Sequence, residues 1–190
     1  LEIQVSFSVM KLTIGVMGSS SIPGADTERL AFRTGEAIGR AGAVLITGAT
    51  TGLPLAAARG AKNAGGEVIG FSPAGSSAEH LRLGYPEEFH DLIVYTGLSS
   101  HGRNLLNVRA SQGLIFVGGS MGALNEFTIA YDEQKVIGIV QGSGGFCNHL
   151  EEWMQHLAKP GNRSVMIHCG NPEELVERVL QEIRKQQLGS

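Results

Sequence analysis

Short apolar runs alternate with longer amphipathic stretches along most of the chain. The clearest run, Leu114–Val117, is bounded by Gly113 and Gly118. A continuous apolar run of that length reads as a strand buried on both faces. Comparable runs occupy Lys11–Met17, Ala43–Thr47, Glu67–Phe71, Leu92–Tyr95, Val136–Val140 and Ser164–His168. The stretches between them carry a helical period. Leu30, Thr34, Ala37 and Ile38 form one stripe, on a helix that Asp26 or Thr27 would cap and that runs to about Arg40. Pro54 suits the first turn of a small-residue helix continuing through Ala56–Ala64. Leu124, Phe127, Thr128 and Tyr131 share the face of another helix. Asn171, Pro172 and two glutamates open the last one, which Leu175, Val179 and Ile183 carry inward.

Strand alternates with helix about seven times, which predicts an α/β, Rossmann-like, doubly wound parallel sheet of about seven strands with helices on both faces. The exception is Ser72–Asp91, which contains Pro73, Gly75, Gly84 and Pro86 and no period. It is expected to be a loop over the ligand-binding edge. Residues 10–187 are expected to form a single domain, preceded by 1–9 as an added or disordered leading segment; Gly189-Ser190 are open to the same reading as added sequence.

Composition narrows the classes of partner. A net charge of −3 argues against nucleic acid or an anionic membrane, both of which call for a basic surface. Two cysteines, Cys147 and Cys169, are too few for a disulfide scaffold, so a cytoplasmic protein is expected and both thiols read as small filler. Glycine, at 27 of 190 residues, clusters at strand ends rather than in a low-complexity tract.

Those glycines define the candidate chemistry. Three strand-to-helix turns are rich in Gly, Ser and Thr: Gly18 to Ser21, Gly48 to Gly52 and Gly118 to Gly122. Turns of this kind offer backbone N–H donors at helix starts and suit a phosphate or another anion. The expected ligand-binding set is Gly18, Ser19, Ser20, Gly48, Thr50, Thr51, Gly118, Gly119, Ser120, Met121 and Gly122, with Asn104. Neither a Gly-x-Gly-x-x-Gly fingerprint nor a Gly-Lys-Ser/Thr phosphate loop occurs, so neither NAD binding nor ATP hydrolysis is favoured. Arg103 and Asn107 lie four apart on one helix that starts at Ser99 or Ser100, and arginine suits a bidentate phosphate contact. Glu126, early in the helix after the third turn, cannot bind an anion while ionised and needs another role.

Arg103-Asn104, followed by Gly-Gly-Ser-Met-Gly-Ala-Leu-Asn-Glu, resembles the LOG-like (lonely guy) family, formerly called lysine decarboxylases, over about Met10 to Lys185. That resemblance implies a Rossmann-like dimer that hydrolyses the N-glycosidic bond of nucleoside 5′-monophosphates. It makes Arg103 and Glu126 the catalytic pair and Gly118, Gly119 and Gly122 the phosphate loop. Val117, Ala123 and Asn104 stand where the family has proline, threonine and lysine. In this the chain looks more like a branch that includes molybdenum-cofactor carriers, which hold a phosphorylated pterin without transforming it.

Two functions therefore stay open: a phosphoribohydrolase, and a non-enzymatic carrier in which Glu126 is structural. Neither requires a cofactor of its own; molybdenum cofactor would be cargo. A homodimer or higher homo-oligomer is expected. The six histidines show no zinc-ligand spacing and are expected mostly at the surface, with His101 beside Arg103 the one of interest. Trp153, Met154 and Leu157 read as core packing.

Overall fold

The structure, a computed structural model, describes residues 10–21 and 24–189. The expected leading segment 1–9, Pro23 of the first turn and Ser190 lie outside the described residues. In chain order the elements are β1 (Thr13–Gly18), α1 (Ala25–Arg40), β2 (Val44–Thr47), α2 (Leu53–Asn63), β3 (Glu67–Ser72), α3 (Ser77–Arg82) and β4 (Leu92–Tyr95). There follow α4 (Ser99–Ala110), β5 (Gly113–Val117), α5 (Met121–Asp132), β6 (Val136–Val140), a 3-10 turn (Gly145–Asn148), α6 (Leu150–Leu157), β7 (Val165–Cys169) and α7 (Pro172–Leu188).

The seven strands pair in parallel in the order β4-β3-β2-β1-β5-β6-β7. The chain therefore builds outward from β1 to β4, then returns to the other side of β1 for β5. That reversal leaves a crevice at the carboxyl ends of β1 and β5, the place where open α/β sheets bind ligands.

Alternation along the central strands sorts the core into two layers. Ile14, Val16, Ile115 and Val117 pack with Ala31, Ile38, Ala57, Leu175 and Val179 from α1, α2 and α7. Met17, Leu114 and Phe116 face the other way, toward Val108 of α4, Phe127 and Ala130 of α5 and Leu150 of α6. Phe116 meets Phe127 and Phe146 edge-on, each at 5.8 Å between ring centres. Helices α1 and α2 approach so closely that a Cβ at Gly35 or Gly60 would collide with the backbone of Ala57 or Phe32. The small residues of α2 are what permit that contact.

Several local expectations give way to tertiary packing. Gly24, not Asp26 or Thr27, occupies the N-cap of α1, without a side-chain cap. Ser72–Asp91 is not all loop: Ser76 accepts from the Glu79 N–H at 3.2 Å and starts α3. The inward face of α5 is Ala123, Glu126, Phe127 and Ala130, whereas Thr128 is exposed and Leu124 and Tyr131 are half-buried. Trp153 is not core. It is 36% exposed and borders an apolar groove with Leu124, Phe127 and Tyr131, because the short α6 fully buries only Leu150. His80, expected at the surface, is fully buried.

Candidate functional site

Three adjacent strands, β2, β1 and β5, carry the three glycine turns at their carboxyl ends, so the sheet order brings together turns far apart in sequence. The turns surround a cleft of about 280 Å³. Of the expected residues, Gly18, Ser20, Gly48, Thr50, Arg103, Asn104, Ser120, Gly122 and Glu126 line it. The others stand behind or beside it. Ser19 holds the first turn to α2 through its carbonyl, which accepts from the Leu53 N–H at 2.9 Å. Thr51 donates to the Ser20 carbonyl at 2.8 Å and ties the same two turns together. Gly119 packs against the Phe146 ring, and the Met121 side chain is 79% exposed. Gly118 departs from the expectation of a free donor: its N–H is already given to Ser143 Oγ at 2.7 Å. Its carbonyl accepts from Cys147 Sγ, whose thiol burial pushes up to about 12.

Three helices that start at this edge line the cleft, α2, α4 and α5, and none has a side-chain cap. By contrast Asn171 caps α7 and Ser76 caps α3. The first-turn N–H groups of an α-helix have no intrahelical acceptor. At α5 they sit beside Ser120 and Gly122 on the cleft wall, with the positive end of the helix dipole behind them.

The floor is a buried polar network. Arg103 Nη1 donates to Glu126 Oε1 at 3.1 Å and to Asn104 Oδ1 at 3.2 Å. Asn107 Nδ2 donates to the same Glu126 oxygen at 2.7 Å, and Asn104 Nδ2 reaches Asn125 Oδ1 at 2.8 Å. The i, i+4 spacing on α4 is what lets Arg103 and Asn107 converge on one carboxylate of α5. Burial pushes the Glu126 carboxyl upward, against the opposing pull of Arg103 and the Asn107 hydrogen bond. Burial likewise lowers Arg103, with Glu126 opposing. Arginine keeps its charge in proteins, and its contact with Glu126 is a buried salt bridge. The guanidinium lies against the backbone of Gly48, where a Cβ would strike it; this explains a glycine after β2. Arg103 Nε and Asn107 Oδ1 are buried and have no partner among the described residues.

Among the described residues, Glu126 is the only carboxylate lining the cleft, and Arg103 the only arginine or lysine. With those two paired, the wall offers a ligand neutral donors: turn N–H groups and the hydroxyls of Ser20, Thr50, Ser100 and Ser120. Tyr85, Ser100 and Pro54 were not legible as site residues from the sequence. Tyr85 arrives from the α3–β4 connection, and no local pattern marks a residue whose neighbours lie so far along the chain. His101 does line the cleft, beside Arg103.

With this geometry the chain matches known proteins as follows. Residues 11–176 match the SLOG cluster4 family. An uncharacterized protein of Archaeoglobus fulgidus is 38% identical over 127 residues, 66% of this chain and 78% of that protein. The molybdenum cofactor binding protein of the phototrophic bacterium Rippkaea orientalis superposes with a TM-score of 0.77 at 28% identity, over 93% of this chain and 99% of that one. The molybdenum cofactor carrier protein of Chlamydomonas reinhardtii superposes with a TM-score of 0.72 at 25% identity, over 90% of this chain and 98% of that one.

Proposed function

The chain belongs to the SLOG cluster4 family, and we propose that it is a non-catalytic cytoplasmic carrier of a phosphorylated, ring-bearing small molecule, with the phosphorylated pterin of molybdenum cofactor as its cargo. The observation that carries this reading is the engagement of Glu126. Its Oε1 accepts from both Arg103 and Asn107 in a buried network. A general base must be able to take a proton from water or substrate. A carboxylate held as the counter-ion of a buried arginine is better suited to fixing the cleft. The uncapped start of α5 and the hydroxyls around it suit a phosphate. Structural similarity to two proteins named for molybdenum cofactor supports the choice of cargo.

The second reading keeps the resemblance to the lonely guy family: an N-glycosidase acting on nucleoside 5′-monophosphates. It is favoured by one observation, that Glu126 lines the cleft and burial raises its carboxyl. The two part in a single experiment. Purified protein is titrated with molybdenum cofactor and with a panel of nucleoside 5′-monophosphates while base release is followed. Tight binding of the phosphorylated pterin without release supports the carrier. Repeated turnover with release of free base overturns it.

Self-association accompanies this proposal. Leu92 and Val94 of β4 are 54% and 37% exposed, and their register partners Ile69 and Phe71 extend the same face of the sheet. A contiguous apolar face of this kind suits a contact with a second copy of the chain.

A further inference from the structure

Tyr85 enters the cleft on a short rigid support. Helix α3 ends with Gly84 N–H donating to the Leu81 carbonyl at 2.9 Å and Tyr85 N–H to the His80 carbonyl at 3.2 Å. Gly84 has φ +77, a left-handed conformation that glycine adopts without steric cost. Together these make a Schellman motif, which sets the residue after the glycine against the last turn of the helix. Tyr85 meets that turn through His80, their rings 5.5 Å apart and inclined at 59°.

His80 is itself immobilised. It is fully buried, with Nδ1 hydrogen-bonded to Ser72 Oγ at 2.8 Å and Nε2 to the Pro86 carbonyl at 3.2 Å. Tyr95 closes its other side edge-on at 5.7 Å. The chain has three tyrosines, and two have engaged hydroxyls: Tyr95 donates to Glu87, and Tyr131 accepts from the Lys159 N–H. The Tyr85 hydroxyl finds no partner among the described residues, although the residue is half-buried beside Arg103 in the cleft. Among the described residues it is also the only phenyl ring that lines the cleft.

We propose that Tyr85 is the ring-binding residue of this cleft, presenting its face as a stacking platform for a planar heteroaromatic group while the turn at Ser120–Gly122 holds the phosphate. The inference deepens the carrier reading and rests on it. An aromatic ring held in place before the ligand arrives loses little conformational entropy on binding. It accepts any flat heterocycle of suitable size, because stacking is tolerant of the pattern of ring substituents.

The test compares three probes by calorimetry: a phosphorylated pterin, AMP and inorganic phosphate. Each is titrated against wild type, Tyr85→Phe and Tyr85→Ala, with thermal melts to confirm folding. Tyr85→Ala is expected to weaken the two ring-bearing probes by roughly 10-fold or more and to leave inorganic phosphate unchanged. Tyr85→Phe keeps the stacking face and is expected to retain most of the affinity. Gly84→Ala disturbs the turn and should shift the probes in the same direction as Tyr85→Ala. Phe as damaging as Ala would overturn the proposal, because the hydroxyl rather than the ring face would then be recognised. Equal weakening of inorganic phosphate would also overturn it. Wild type that binds none of the probes would sink the reading of the cleft itself, whereas binding unchanged by Tyr85→Ala would sink only the role of Tyr85.

Discussion

Arg103 and Glu126 face each other across the α4–α5 interface at 3.1 Å, with side chains only 10% and 5% exposed. A pair this deeply buried is stabilising only while both members are present. Removing one leaves the other charge largely buried and without its counter-ion. Glu126→Gln is therefore expected to destabilise the fold by roughly 3 kcal/mol, and Arg103→Ala by a similar amount. Their double mutant should be less damaged than the sum, by on the order of 1–3 kcal/mol. Urea unfolding of the four proteins reads this directly, and strictly additive losses would show that the pair is not coupled.

Glycines around the cleft should differ sharply in tolerance. A Cβ at Gly48 would run into the Arg103 guanidinium, whereas one at Gly122 has open space around it. Gly48→Ala should cost about 1–3 kcal/mol, the scale of an overpacked core site, and weaken ligand binding by displacing Arg103. Gly122→Ala should leave the melting temperature within a degree or two, about the effect of a neutral surface change. Comparable losses at both positions would contradict the placement of the guanidinium.

The tie between α1 and α7 should appear in the acid limb of the stability curve. Arg33 Nε donates to Glu173 Oε1 at 3.0 Å, and this hydrogen bond holds the Glu173 carboxyl below its ordinary value of 4.5. A depressed carboxylate contributes stability above its unfolded value and loses it as pH falls through the folded one. Wild type should therefore exceed Glu173→Gln in stability at neutral pH. The gap should narrow below about pH 4.5 and close in stronger acid. Unfolding measured from pH 7 to 2 checks this; a gap independent of pH would mean that the charge plays no part.

Self-association through the β3–β4 face predicts a charge-sensitive oligomer. Leu92→Lys with Val94→Lys puts two cations into that face and should yield a monomer that keeps its helical circular-dichroism signal. Multi-angle light scattering at micromolar concentration distinguishes the species. Wild type that is already monomeric there would rule the interface out.

The elements of this fold are legible in the sequence because apolar burial leaves a local record. Leu114–Val117 is buried on both faces, so it reads as an uninterrupted run; Asn171 and Pro172 announce α7 through their own conformational preferences. Glycine at Gly18, Gly48 and Gly122 likewise marks turns that the sheet order later gathers at one cleft. What no local pattern records is the burial of a polar group. On α5 the sequence favours the face of Leu124, Phe127, Thr128 and Tyr131; of these Phe127 is buried, but the helix is turned so that Glu126 points inward beside it. That orientation is tolerable only because Arg103 and Asn107 come from another helix to satisfy the carboxylate. Tyr85 is the same case: its position depends on a buried histidine and a sheet edge brought together by the fold. Periodicity along one segment can report what that segment hides from water, but a buried polar contact depends on partners supplied by distant segments, and only the tertiary structure decides which ones meet.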